Sequence, residues 1–565
     1  MLEITPRSIP PQAVQSLQEE GYSPALAKIF ASRGITDSKQ LDTSIAGLLL
    51  FEELANAREM ARLLADAISA NKKLMVIADY DADGATACAV AVRGMRGFGA
   101  QIDFIVPNRF EYGYGLTPEI VHLAARSAPD ILITVDNGIA SVEGVAEANR
   151  LGMQVLITDH HLPGDKLPDA ECIVNPNQPG CTFPSKNLAG VGVMFYVLLA
   201  LRAELRSRCA FNGKPEPNLG TLLDLVALGT VADVVRLDQN NRILVQQGLQ
   251  RIRAGRACTG INALLHAAKK DPAFVSSRDL GFTVGPRLNA AGRLEDMSLG
   301  IDCLLADDET TARQIATKLD ALNRERRGIE SDMQDSALAA LEHITPSDHF
   351  SLVLFDESWH QGVIGILASR LKDRFHRPVI AFARSGDGVL KGSGRSISGM
   401  HLRDALDLVS KRNPALIKKF GGHAAAAGLS IAESDFAIFV AAFGQVCSEL
   451  LSTDDLEQRI ETDGTLEIAE INLEVARLLD QQVWGQGFPA PQFSDNFIVQ
   501  NQRVVGEKHL KLRLHKQGVD IDAILFGHVE AMPGRIQAVY SLHVNEYNGS
   551  QSLQFIIRHW QPAGE

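Results

Sequence analysis

Between residues 74 and 176, short apolar runs alternate with helix-forming stretches. LMVIAD, QIDFIVP, ILITVD and QVLITDH are rich in Val, Ile and Leu. ATACAVAVRGMRGF, TPEIVHLAARS and SVEGVAEANRLG lie between them, and Thr117 with Pro118 marks the start of the second helical stretch. This alternation predicts βαβ units and therefore a parallel sheet covered by helices, an α/β fold. In open parallel sheets, reactive groups collect at the carboxyl edge of the strands. Three of these runs end there in acid. LMVIADYDADG carries Asp79, Asp81 and Asp83 before Gly84, ILITVDNG ends in Asp136, and QVLITDHH ends in Asp159, His160 and His161.

In an extended segment, residues two apart point to the same side, so Asp79, Asp81 and Asp83 are expected to share a face. Three such carboxylates repel one another unless a cation lies among them. D-x-D-x-D-G also opens a calcium loop, but that loop needs a Glu at its twelfth position, which here is Val90. A solvated acidic turn is the other plain reading. Further along, Asp233 sits in the mostly apolar run LVALGTVADVV and needs a partner there, which a metal ion supplies. Several carboxylates with imidazole suit Mn²⁺ or Mg²⁺. Two such ions roughly 3.5–4 Å apart clamp the attacking and leaving oxygens of a phosphodiester. If the backbone stays extended, His160 and His161 point in opposite directions. One is then a metal ligand, and the other orients a ligand or touches phosphate.

The chain has 565 residues, enough for three or four domains. Its net charge of −13 argues against nucleic-acid binding over the whole surface, although not against a local basic groove. The seven cysteines form no C-x-x-C pair, which suggests a reducing cytoplasm without a disulfide framework. MLEITPRSIPPQ resembles neither a signal peptide nor a transit segment, and no apolar run is long enough to span a membrane.

The predicted organisation is an N-terminal extension (1–45), a catalytic α/β domain (46–305), a connecting helix (306–346), a smaller α/β domain (347–455) and a C-terminal β-barrel (456–565). Residues 187–265 read as mostly helical. The stretch 308–344 is charged, lacks Pro and reads as one long helix. After residue 455, five strand-like runs separated by short turns fit a small barrel of the OB-fold type.

Four segments suggest contact with a polyanion. PNRFEYGYGL places Arg109 beside Tyr112 and Tyr114, suited to phosphate contact and stacking, although an ordinary surface loop has the same composition. GPRLNAAGR, read as a flexible Gly/Ala-rich segment, carries Arg287, Asn289 and Arg293, which either bind phosphates or pair with nearby acids. From Lys391 to His423 there are seven Lys and Arg against two Asp, a net of +5. Within this stretch GSGRS reads as a turn whose backbone N–H groups, with Ser393, Arg395 and Ser396, cradle a terminal phosphate. In KHLKLRLHK, Leu510, Leu512 and Leu514 face inward, while Lys511, Arg513 and His515 form a basic outer face or merely a solvated one.

DYDADG, VDNG, TDHH and GTVADVV resemble, in order, the four motifs of the DHH phosphoesterase family. GGH at 421–423, preceded by GSGRS, resembles its associated DHHA1 domain. The resemblance spans roughly residues 45 to 560 and is most specific to the family's 5′→3′ single-stranded-DNA exonucleases. It implies that Asp79, Asp81, Asp83, Asp136, Asp159, His160 and Asp233 hold two divalent ions, with Asp81, Asp83, His160 and His161 catalytic and His161 on the phosphate. It implies substrate contact by His423 together with the basic residues named above. It also implies single-stranded-DNA-binding protein and a RecQ-type helicase as partners in repair and recombination, a monomeric state and a cytoplasmic location. Two alternatives stay open at this point. One is a phosphodiesterase for short oligonucleotides or cyclic dinucleotides, and the other is a metal-free replication scaffold on the same fold.

Overall fold

The structure is a computed structural model that describes residues 2–107, 115–341, 349–386, 388–547 and 550–563. The chain divides into two compact units, residues 6–320 with 461–565 and residues 1–5 with 321–460.

The larger unit contains a five-stranded sheet of β1 (Lys73–Ala78), β2 (Gln101–Ile105), β3 (Ile131–Val135), β4 (Gln154–Thr158) and β5 (Cys172–Val174). Every pairing is parallel and the order is β2-β1-β3-β4-β5. Successive strands therefore fill opposite sides of β1. The switch point, where such sheets open a crevice, lies between β1 and β3. The near-continuous apolar runs are explained by burial on both faces: all five residues of β3 are buried. The crossovers are α1 (Ala82–Gly97), α2 (Pro118–Ala125) and α3 (Val142–Arg150). A helical layer follows, including α4 (Gly190–Ser207), α5 (Leu223–Ala232), α6 (Gln239–Arg253) and α7 (Gly285–Leu294). GPRLNAAGR is thus a packed helix and not a flexible segment. Gly285, Leu288, Ala290, Ala291 and Gly292 are buried because the small residues let the helix approach its neighbours.

The long charged stretch forms one helix, α8 (Glu309–Leu341), of 33 residues and about 50 Å. It crosses the division between the two units. The smaller unit has a sheet of β6 (Leu352–Phe355), β7 (Val379–Arg384), β8 (Val389–Arg395), β9 (Lys419–Gly422) and β10 (Ala426–Ala432), with α9 (Ile364–Phe375) following β6. The order is β9-β10-β8-β7-β6, with only β6 and β7 parallel. The expected GSGRS turn is corrected here, because residues 392–395 lie within β8 and are paired on both sides. Its glycines allow close packing. A Cβ on Gly392 would lie 2.5 Å from the Phe382 ring, and one on Gly394 would lie 2.9 Å from Leu402.

The C-terminal strands β11 (Phe493–Val505), β12 (His509–Lys516), β13 (Val519–Phe526), β14 (Arg535–Tyr547) and β15 (Ser550–Pro562) close into a barrel of order β11-β12-β13-β15-β14. Leu510, Leu512 and Leu514 face inward as expected, joining Phe497, Tyr540 and Phe555 in its core. Ala25 and Ile29 of the N-terminal segment belong to the same core. Nearby, Arg33 grips both oxygens of Asp463 at 2.6 and 3.0 Å. Both partners are almost fully buried, so each charge needs the other.

Candidate metal centre

The acidic motif does not act through strand alternation. β1 ends at Ala78 and α1 begins at Ala82, so the three aspartates occupy three different backbone settings. Asp79 follows the strand. Asp81 caps the helix, its Oδ1 accepting from the N–H groups of Asp83 and Gly84 at 2.9 and 3.0 Å. Asp83 lies in the first helical turn, where its carboxylate reaches the start of α4. Its Oδ2 accepts from Gly190 N–H at 2.6 Å and its Oδ1 from Val191 N–H at 3.0 Å. A helix N-terminus is a favourable place for this anion.

Asp136 follows β3 across the switch point in the left-handed region, at φ 63°. Its Oδ1 lies 3.1 Å from His160 Nε2, which is itself 3.5 Å from Asp233 Oδ2 at the end of α5. The expectation that the two histidines diverge is not met. The strand ends at Thr158, the backbone turns, and the two rings sit 4.5 Å apart. Three overlapping groups result: Asp79, Asp81 and Asp136; Asp83, His160 and Asp233; and Asp136, His160 and His161. Within each group the ligand atoms lie within 4.8 Å of one another.

Asp159 joins none of these groups. Its Oδ1 accepts from the backbone N–H groups of His160 and His161 at 2.7 and 3.1 Å and lies 2.8 Å from His161 Nδ1. Its Oδ2 accepts from Ile139 N–H at 2.9 Å. Burial alone would raise this carboxyl, but the hydrogen bond and charge of His161, followed by the charge of His160, hold it below the usual range. Burial also disfavours a charged His161, yet Asp159 outweighs it and pushes that imidazole up to about 9.

The remaining acids behave as a site built for cations. Burial, and then the Asp81 charge, push Asp83 up to about 7. Burial and the neighbouring aspartates drive Asp136 and Asp233 well above the carboxylate range. Buried carboxylates crowded in this way relieve their repulsion by protonation or by binding a cation, and an oxygen-rich set with imidazole suits Mn²⁺ or Mg²⁺. Two glycines keep the acids close. A Cβ on Gly190 would fall 2.5 Å from Asp136 Cβ, and one on Gly229 would fall 2.8 Å from Asp83 Oδ1.

Several residues expected at the substrate have other partners. Asn289 Oδ1 accepts from Ala82 N–H at 2.8 Å, holding the turn between Asp81 and Asp83. Arg287 pairs with Asp320, at 3.0 Å through Nε and 2.8 Å through Nη2, and donates to Thr283 O. Arg293 is half-buried in the same helix. Ser396 donates to Met400 O from its hydroxyl and to Ala425 O from its N–H. His423 is exposed in the β9–β10 turn. Ser393 and Arg395 do come together, since Arg395 Nη1 donates to Gly394 O at 2.8 Å and lies 3.3 Å from Ser393 Oγ. Both side chains border the first turn of α9, where a Cβ on Gly365 would lie 2.9 Å from Ser393 Oγ and 3.1 Å from Arg395 Nη2. The expected basic face of β12 is largely neutralised. Arg513 bonds Asp522 at 2.7 Å, and His515 lies 2.6 Å from Asp520, both on β13. Lys511 instead faces Arg503 on β11. Arg109, Tyr112 and Tyr114 lie outside the described residues.

Models of known families match three segments: the DHH family N-terminal domain over residues 73–230, the DHHA1 domain over 348–449 and the RecJ OB domain over 462–559. The single-stranded-DNA-specific exonuclease RecJ of Salmonella typhimurium is 50% identical, over 94% of this chain and 95% of that protein. The chain belongs to the RecJ family. The Escherichia coli RecJ is 49% identical over the same shares. The crystal structure of Thermus thermophilus RecJ in complex with Mn²⁺ matches all of this chain and 80% of its own, with a TM-score of 0.83 and 30% identity. A second RecJ structure, bound to manganese, covers 72% of this chain with a TM-score of 0.61 and 34% identity.

Proposed function

We propose that this chain is a metal-dependent exonuclease that hydrolyses the phosphodiester bonds of single-stranded DNA, using two divalent ions, Mn²⁺ or Mg²⁺. The observation that carries this reading is the set of three overlapping groups of ligand atoms, one of three carboxylates and two that include imidazole, at the switch point of the parallel sheet, in a chain half identical to Salmonella typhimurium RecJ along nearly its whole length. Asp79, Asp81 and Asp136 would hold one ion, and Asp83, His160 and Asp233 the other, with Asp159 kept as the seventh ligand on the family resemblance. The chemistry the ions supply when bound is acidification of the attacking water and neutralisation of charge on the leaving oxygen, so no Ser or Cys nucleophile is required.

The chain's own groups then have separate tasks. Gly190 and Val191 N–H orient Asp83. Asp159 orients the backbone of the histidine pair and locks His161 through Nδ1, and His161 stabilises the scissile phosphate. Ser393 and Arg395, beside the start of α9, receive the terminal 5′ phosphate, and Lys511 contacts the strand backbone. Arg109, Tyr112, Tyr114, Arg293 and His423 stay assigned to the substrate on the family resemblance. The same resemblance supports 5′→3′ polarity, the domain limits given above, the partnership with single-stranded-DNA-binding protein and a RecQ-type helicase, a monomeric state, a role in repair and recombination, and a cytoplasmic location.

The test is digestion of long single strands labelled at the 5′ or the 3′ end, with Mn²⁺. The expected result is stepwise release of the 5′ label as mononucleotide, abolished by Asp81→Ala. A strong preference for dinucleotides or cyclic dinucleotides would overturn the reading.

A further inference from the structure

Among the described residues, the most exposed large apolar side chains are Phe282 at 74%, Leu162 and Leu50 at 63%, Val234 at 62% and Phe274 at 60%. Single exposed apolar residues are ordinary. Two of these are not placed ordinarily. Leu162 directly follows His161, and Val234 directly follows Asp233. Both therefore flank the imidazole pair, since Asp233 lies 3.5 Å from His160 and the two rings are 4.5 Å apart.

Val234 carries a second anomaly. α5 ends at Ala232 and Asp233 is its C-cap, so Val234 occupies the next position, with φ 61°. Glycine, or less often Asn, is the easy residue there, and a β-branched side chain at positive φ is strained. The strain brings no packing in return, because the side chain points to solvent. A strained, exposed valine beside a metal-site aspartate makes sense if its contact arrives with the substrate. The π turn Leu280–Val284, which carries Phe282, packs on the same helix end, since a Cβ on Gly281 would lie 3.1 Å from Val231. Such turns often mark functional sites.

We propose that Val234 and Leu162, with Phe282 on the turn packed at the same helix end, form an apolar platform that supports the nucleobases on either side of the scissile phosphodiester. The proposal rests on the single-stranded-DNA exonuclease reading of this centre and adds which groups hold the bases. A base offers an apolar face whatever its sequence, so contact with apolar side chains grips DNA without reading it. A protein partner seated on Leu162 and Val234 would cover the very centre the substrate must enter, and this favours the substrate as occupant.

The test uses the full-length protein, Val234→Gly and the double variant Leu162→Ala/Val234→Gly. Each is assayed on a 5′-phosphorylated single strand and on the same strand with abasic residues at its first positions. Glycine fits the backbone at 234, so Val234→Gly should fold at least as stably as the parent, and Mn²⁺ affinity measured by calorimetry should be unchanged. The expected result is a KM for the normal strand raised about tenfold in the double variant. On the abasic strand the parent should fall to the level of the variants. Variants that match the parent on the normal strand would overturn the proposal. So would variants that weaken equally on both strands, which would mark a merely structural role. If the parent binds Mn²⁺ but leaves both strands intact, the exonuclease reading itself fails, a result distinct from either of these.

Discussion

Gly190 is where the packing of the centre is most exposed to a one-carbon change. Its N–H donates to Asp83 Oδ2 at 2.6 Å, while its missing side chain faces Asp136. In Gly190→Ala the new Cβ would lie 2.5 Å from Asp136 Cβ and 2.6 Å from Asp136 Oδ1. Contacts that short do not persist, so either Asp136 shifts or the start of α4 recedes. Asp136 is 2% exposed with φ 63°, so it has little room to move. Overpacking of this kind costs about 1–3 kcal/mol. If α4 recedes, loosening a hydrogen bond to the Asp83 carboxylate adds about 1.5–3 kcal/mol. Both acids belong to groups able to hold an ion, so a similar loss should appear in metal binding. At 1.4 kcal/mol per decade, Mn²⁺ affinity should fall about tenfold or more. Calorimetric titration with Mn²⁺ and urea unfolding of the metal-free protein measure the two losses. Gly328→Ala is the control. It lies in the exposed middle of α8 with nothing within 4 Å of the new Cβ, so it should stabilise by about 0.8–1 kcal/mol. Unchanged Mn²⁺ affinity and an unchanged urea midpoint in Gly190→Ala would show that the close approach of Gly190 to Asp136 does not hold the centre together.

Asp136→Asn keeps the left-handed backbone, which Asn tolerates, and removes one of the crowded charges. The metal-free protein should gain about 1 kcal/mol or more, while the rise in melting temperature on adding Mn²⁺ should shrink to what the ion among Asp83, His160 and Asp233 alone supplies, both readable in thermal melts. For pH, burial and then Asp81 raise Asp83 to about 7 in the folded state. Its stabilising contribution is therefore complete below the unfolded carboxyl range and is lost as pH rises through about 7. The gap in melting temperature between Mn²⁺-bound and metal-free protein should widen from about pH 4 to about pH 7, and a gap that narrows would contradict this assignment. Asn289→Ala frees Ala82 N–H and should cost about 1 kcal/mol together with Mn²⁺ affinity, whereas Arg287→Ala should lower stability without altering the salt dependence of DNA binding. Lys511→Ala should reduce the slope of log affinity against log salt by about 0.7, while Arg513→Ala, whose charge Asp522 already balances, should leave it unchanged.

The strands were legible because burial on both faces demands continuous Val, Ile and Leu, and their acidic ends were legible because the carboxyl edge of a parallel sheet is where such residues converge. The long helix was legible from its charge pattern and lack of Pro. Backbone donors left no trace, since Gly190 and Val191 hold Asp83 through N–H groups that any residue carries. Asn289 reaches Ala82 across 207 positions, so nothing local distinguished a turn-holding amide from a phosphate contact. GSGRS misled because clustered glycines mark both turns and strands pressed against large neighbours, here Phe382 and Leu402. The basic face of β12 looked unopposed because its acids lie on the next strand, where Arg513 faces Asp522 and His515 faces Asp520, a register set by the hairpin. DYDADG misled more subtly: the strand stops at Ala78, and a cap and a helical turn do the converging that alternation was expected to do.

The acids and histidines at the switch point are proposed to hold two ions. Anomalous diffraction from crystals soaked in Mn²⁺ tests this directly. Two peaks are expected about 3.5–4 Å apart, one among Asp79, Asp81 and Asp136 and the other among Asp83, His160 and Asp233. A single peak, or Mn²⁺ bound elsewhere with these carboxylates empty, would contradict the two-ion assignment.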